Sequence, residues 1–231
     1  MLDNFLFRCS SLGALMSYPD AKDLPDGVKT KLREIFIEAR YGRKKEIKNR
    51  FLDKGLLVEE DSMTLLTKKE GRLIIKNKKH YSNDQIKGTP DIVIPGECVK
   101  DIKSSWDIWS FFSSVEDDKI KSLYYWQGMG YLELTGEKVF ELTYCLVNTP
   151  DHLIADEERK MHWKMNMIDD TDPEYIAACE QIRKNMTYDD IPERHRIKKF
   201  TFEYNKADIM KLYSRLDDCR KYLNLLSLKY M

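Results

Sequence analysis

The chain has 231 residues, 42% hydrophobic and 34% charged, with 39 bases balanced by 39 acids, and this length can bury a sizeable core as one domain. No run approaches the ~20 apolar residues of a membrane span, and the opening Met1-Leu2-Asp3-Asn4-Phe5 lacks the basic and long apolar regions of a signal peptide. The cysteines Cys9, Cys98, Cys145, Cys179 and Cys219 are scattered, with no C-x-x-C pair, which points to reduced thiols in a cytoplasm and away from a disulfide framework or a zinc knuckle.

Near the start stands Arg8-Cys9-Ser10-Ser11-Leu12-Gly13, whose serines would suit a helix N-terminus. Such a serine is an ordinary N-cap, and its hydroxyl beside free backbone N–H groups also suits a phosphate. A second helical pattern spans about Val28 to Phe51. In it Leu32, Ile35, Ala39, Gly42 and Glu46 recur at intervals of 3, 4, 3 and 4 and share one stripe. The stripe is otherwise apolar or small, so Glu46 is carried inward with it. A buried carboxylate needs a partner, either an ion pair with Arg43, Lys45 or Arg50 or a metal ion.

Bases crowd two stretches, Arg40, Arg43, Lys44, Lys45, Lys48 and Arg50, then Lys68, Lys69, Arg72, Lys76, Lys78 and Lys79, whereas acids dominate residues 151 to 193. A chain of zero net charge can therefore still offer phosphate a local basic groove, although lysine-rich faces are also simply solvated.

The stretch from Gly88 to Lys103 is the most informative. It predicts a short strand after Asp91, a tight Pro95-Gly96 turn, and a second strand carrying Asp101-x-Lys103. Alternation puts Asp101 and Lys103 on one face and Ile102 on the other. Two carboxylates and a lysine on rigid β structure are the parts needed to bind Mg²⁺ and activate a water; a solvated Asp–Lys pair on a charged hairpin has the same sequence. Trp106, Trp109, Phe111 and Phe112 follow, as core residues or as stacking surfaces for nucleic acid.

A further helix is expected from near Glu116 to about Leu134, with Ile120, Tyr124, Gln127, Tyr131 and Leu134 on one stripe. Gln127 then lies on an apolar and aromatic face, where a buried amide bonds to a backbone group or holds a neighbouring polar group in place. Phe140 to Val147 reads as a strand, Asp151 to Lys164 as a helix, Asp169 to Pro173 as a turn and cap, and Arg196 to Tyr204 as a strand. Ala207 to Leu228 closes the chain as an amphipathic helix with Ile209, Leu212, Leu216 and Leu223 inward.

In order, these pieces are Gly42-x-x-x-Glu46 on a helix, Gly88-Thr89-Pro90-Asp91, Asp101-x-Lys103 on the next strand, and Gln127-x-x-x-Tyr131 on the following helix. The series resembles the PD-(D/E)XK nuclease superfamily, and within it the lambda-exonuclease, YqaJ and RecB-like branch of phage-type exonucleases, over about residues 5 to 150. The resemblance implies an α/β fold with a restriction-endonuclease-like core, a central mixed β-sheet flanked by helices. It also implies one nuclease domain over 1–231, with a helical and strand extension over about 151–231.

Carried over residue by residue, the resemblance makes Glu46, Asp91 and Asp101 metal ligands, with the Ile102 carbonyl as a further ligand. Lys103 would position or activate the attacking water, Gln127 would support the lysine, and Tyr131 would contact substrate. Arg8-Cys9-Ser10-Ser11 resembles the family's opening segment, and Arg8, Ser11 and Thr89 would form an anion pocket for a DNA end. Asp101 stands where glutamate is more usual, and Ser104 to Trp109 lacks an arginine expected there. The implied cofactor is Mg²⁺, with Mn²⁺ as a substitute and no iron–sulfur cluster. The implied activity is exonuclease processing of double-stranded DNA ends for recombination or repair, with 5′-to-3′ digestion favoured. Implied partners are DNA, further copies of the chain and a single-strand annealing protein, in a host cytoplasm if phage-encoded. An endonuclease, a single-strand-specific repair nuclease, and a DNA-binding protein with a degenerate site are the alternatives.

Overall fold

The computed structural model describes residues 4–45, 50–116 and 119–230, of 50–53 the backbone only. In chain order the elements are β1 (Phe7–Arg8), α1 (Cys9–Leu15), α2 (Asp26–Tyr41), α3 (Arg50–Leu57), α4 (Glu59–Glu70), β2 (Tyr81–Ser82), β3 (Ile86–Gly88), β4 (Ile92–Ile94) and β5 (Cys98–Ser104). Then come α5 (Ile108–Val115), α6 (Ser122–Thr135), β6 (Val139–Cys145), α7 (Asp151–Lys164), α8 (Pro173–Met186), β7 (Ile197–Glu203) and α9 (Lys206–Lys229). This is the expected α/β class, with mixed sheets flanked by helices.

The long helix expected over Val28 to Phe51 is two helices. Gly42 takes φ 64° and its N–H donates to Glu38 O at 3.0 Å, a left-handed cap that ends α2 one residue after Tyr41. The stripe that joined Leu32 to Glu46 is therefore broken before it reaches the acid, and Glu46 itself lies outside the described residues. The later helix likewise begins at Ser122 and not near Glu116. The chain before it forms α5, whose Asp107 N-cap accepts from Ser110 N–H at 2.7 Å while Asp107 N–H donates to Ser110 Oγ at 3.0 Å.

Strands β4-β5-β6-β7 form one sheet, antiparallel except for the parallel β5–β6 pair, and β1-β3-β2 form a smaller mixed sheet. Pairing sets Val99 beside Phe140, Asp101 beside Leu142 and Lys103 beside Tyr144. Neighbouring residues of a paired register share a face. That face packs against α1, α2, α6 and α9 through Leu12, Leu32, Met129, Phe140, Leu142 and Leu216. The opposite face carries Ile92 and Ile102 against Val58, Leu65 and Leu66 of the α4 region. Asp101 and Lys103 are thus turned toward α6, and α4 closes the sheet from the other side.

Candidate active site

Asp91 is the last residue before β4, whose Ile92 pairs with Lys100. This places Asp91 next to Asp101, and the Ile102 N–H donates to Asp91 Oδ2 at 2.8 Å. Asp101 is 2% exposed. Its Oδ1 accepts from Gln127 Nε2 at 3.1 Å, and Oδ2 meets only the Lys103 ammonium among the described residues, as an ion pair at 2.5 Å. Gln127 Nε2 also donates to the Tyr131 hydroxyl at 3.2 Å, and that hydroxyl donates to the Thr89 carbonyl at 3.4 Å. A Cβ at Gly88 would stand 2.7 Å from the Tyr131 ring, so glycine there lets the tyrosine lie against the strand that leads to Thr89.

One chain of contacts therefore joins Thr89, Tyr131, Gln127, Asp101 and Lys103. The sequence assigns Gln127 to the lysine; the structure seats it on Asp101, so its hold on Lys103 passes through that carboxylate.

Burial, and secondarily the neighbouring Asp101 charge, push the Asp91 carboxyl up to about 7. Burial works against the Lys103 ammonium, but Asp101 and Asp91 hold its pKa above the ordinary lysine range. The buried Asp101 and the half-buried Asp91 lie beside the Lys103 ammonium, a surplus of negative charge that would suit a hard divalent cation. No three acids, histidines or cysteines among the described residues already converge as a preformed cage. The donor set of Asp91 and Asp101 nevertheless fits Mg²⁺ or Mn²⁺, because both offer carboxylate oxygen and Asp101 Oδ2 has no donor but the lysine.

The third acid at this cleft is one that the sequence reading passed over. Glu59, the first residue of α4, lines the same cleft of about 450 Å³ as Asp91, Ile102 and Lys103, and its charge adds to those raising Asp91. The signal was the acidic first turn Glu59-Glu60-Asp61. Residues 76 to 80 also reach the site. Lys76 Nζ pairs with Glu59 at 2.5 Å, and Asn77 donates through its N–H to Asp91 O at 2.7 Å and through its amide to Pro90 O at 2.9 Å. His80 Nδ1 contacts Thr89 Oγ1.

Arg8 and Ser11 come together in a separate cleft of about 370 Å³ with Lys44, Lys45 and Lys87. Thr89 does not line it, so the three residues expected to form one anion pocket are divided between two places. Ser11 sits inside α1, whose N-cap position is Arg8 with no side-chain cap bond. Two bases of this cleft are already paired at short range, Arg8 with Glu38 at 2.7 Å and Lys45 with Glu34 at 3.1 Å.

No family model and no curated protein matches the sequence. Solved structures do. A phage-related exonuclease from Haemophilus somnus 129PT superposes with a TM-score of 0.78 at 25% identity, covering 100% of this chain and 98% of its own. An alkaline exonuclease, LHK-Exo, from Laribacter hongkongensis aligns at TM-score 0.65 and 11% identity, covering 99% of this chain and 94% of its own. Its complex with dAMP gives 0.64 at 12% identity, covering 97% and 93%. The chain shares its fold with these exonucleases along its length.

Proposed function

We propose that this chain is a metal-dependent exonuclease acting on double-stranded DNA ends. The observation that carries this reading is the convergence of Asp91, Asp101 and Lys103 at the β4–β5 hairpin, locked to α6 by Gln127, in a chain similar along its length to a phage-related exonuclease. The similarity to an enzyme solved with dAMP supports a nucleic-acid substrate.

Asp91 and Asp101 would hold Mg²⁺ or Mn²⁺, with the Ile102 carbonyl and Glu59 as further oxygen donors at the same cleft. When bound, the ion supplies Lewis-acid stabilisation of the charge that develops on the scissile phosphate. Lys103, held 2.5 Å from Asp101, keeps an ammonium beside the attacked phosphate, where it neutralises charge and orients the water. Gln127 and Tyr131 keep Asp101 from rotating, which preserves that arrangement between turnovers. Arg8 and Ser11, with Lys87, would receive a terminal 5′ phosphate and so favour 5′-to-3′ digestion.

End resection of this kind serves recombination or repair, with a homo-oligomer and a single-strand annealing protein as partners, in the cytoplasm of the cell or the phage host. No described helix is long and apolar enough to cross a membrane. The deciding experiment is digestion of end-labelled linear and closed circular duplex DNA with Mg²⁺ and with EDTA. Loss of linear DNA alone, abolished by EDTA, is the expected result; efficient cutting of circles would favour an endonuclease.

A further inference from the structure

We infer that the Tyr144 hydroxyl is a substrate-contacting group in the cleft beside Lys103. The inference rests on the nuclease reading above. The cleft of about 450 Å³ runs from Asp91 and Lys103 past Tyr124 and Tyr144 to Trp106 and Ser110, and its size falls among small-ligand sites. Its mouth is the carboxylate and lysine cluster that suits a phosphate. Its walls are aromatic rings and serine hydroxyls, which suit a base and a sugar.

Tyr144 is the unexplained part of this wall. It stands opposite Lys103 in the parallel β5–β6 register, so both side chains rise from one face into the cleft. Its ring is fixed edge-on between Tyr124, at 6.3 Å, and Phe200, at 6.0 Å. The residue is 5% exposed, and its hydroxyl is buried with no hydrogen-bond partner among the described residues. A buried hydroxyl without an acceptor is costly and uncommon, and a phenylalanine would pack the same space without that cost. Burial, with Tyr124 and Asp101 nearby, raises the Tyr144 pKa, so the group stays a protonated donor. An unpartnered donor on a residue that lines a phosphate-adjacent cleft is suited to an oxygen of the bound nucleotide.

Calorimetric titration of the full chain in Mg²⁺ with deoxythymidine 5′-monophosphate and with inorganic phosphate tests the subsite. Wild type should bind the nucleotide more tightly than phosphate, and Tyr144→Phe should weaken nucleotide binding about five- to tenfold, the loss of one hydrogen bond. The thermal midpoint of Tyr144→Phe should not fall. Equal nucleotide affinity in the two proteins, nucleotide binding no tighter than phosphate, or a lowered midpoint revealing a structural partner for the hydroxyl would each overturn the inference. The titration needs no turnover. A protein that binds the nucleotide as described yet cuts no DNA would overturn the exonuclease reading and leave the subsite standing. One that degrades DNA with no effect of Tyr144→Phe on binding would do the reverse.

Discussion

The Gln127 amide nitrogen spans Asp101 Oδ1 at 3.1 Å and the Tyr131 hydroxyl at 3.2 Å, so it reaches Lys103 through Asp101. Through these bonds α6 sets the rotamer of a carboxylate on β5. Such supports of a metal ligand are worth about 10–100-fold in metal affinity or activity. Gln127→Ala should therefore weaken Mn²⁺ binding and turnover by about that factor while the protein stays folded. Electron paramagnetic titration of Mn²⁺ checks this apart from activity, and unchanged Mn²⁺ affinity would refute the role.

Asp91, Asp101 and Lys103 divide differently. Asp91→Ala and Asp101→Ala should each remove nearly all turnover and most Mn²⁺ binding, because losing either carboxylate breaks a shared site. Lys103→Ala should remove turnover equally while Mn²⁺ binding stays within a few-fold of wild type, since the lysine donates nothing to the metal. Full activity in Asp101→Ala would sink the whole assignment.

Much of this site was legible before any coordinates. Period-two alternation places Asp101 and Lys103 together, and period 3.6 places Gln127 and Tyr131 together, because both patterns follow from backbone geometry alone. What the sequence hid depends on a single dihedral and on packing. Gly42 lies on an apolar stripe as naturally as alanine does, and only its left-handed conformation shows that the stripe stops there. Glu59 stands in an acidic helix start that the sequence shows, but its place at the cleft comes from α4 folding across the sheet. Asn77 and His80 sit in a segment without regular structure, and no periodicity marks contacts made that way.

Glu59 and Glu46 can be told apart by substitution. Glu59→Gln should lower Mg²⁺ affinity and activity about tenfold, the cost of removing one charged oxygen donor or its support. It also releases Lys76, which pairs with Glu59 at 2.5 Å on an exposed rim, so stability should change by less than about 1 kcal/mol. Glu46→Gln provides the comparison. If metal titration shows loss only in Glu46→Gln, the third acid is the one the sequence pattern named.

On the far face of the sheet, Lys100 is 2% exposed and pairs with Glu70 at 2.5 Å and Glu141 at 2.9 Å, and Lys199 joins the same two acids. Burial alone would raise the Glu70 pKa, but hydrogen bonds from Lys100, Lys199 and Arg72 outweigh it and bring the carboxyl down to about 2 from 4.5. A depressed acid stabilises the fold above its unfolded pKa and loses that contribution as pH falls toward its folded one. Glu70→Gln should thus cost about 3 kcal/mol at neutral pH, since it leaves the buried Lys100 ammonium and Lys199 to share Glu141 alone. The deficit relative to wild type should shrink steadily from about pH 4.5 to pH 2. Denaturant melts across that range measure it, and a deficit independent of pH would show that packing, not charge, is lost.

Arg8 bears on how the proposed exonuclease would meet a DNA end. Its guanidinium already pairs with Glu38 at 2.7 Å, so a terminal phosphate must compete with a carboxylate for it. Charge-assisted contacts to phosphate are worth about 1.5–3 kcal/mol, a ten- to hundredfold effect. Arg8→Ala should slow initiation on 5′-phosphorylated linear duplex by about tenfold, the lower bound, because the free arginine is partly neutralised. Later cleavage steps should be little changed. Glu38→Gln should act in the opposite sense, speeding initiation on phosphorylated ends by freeing the same guanidinium. Single-turnover digestion of matched 5′-phosphate and 5′-hydroxyl duplexes separates initiation from the later steps. If both ends start at the same rate in all three proteins, this cleft does not read the end.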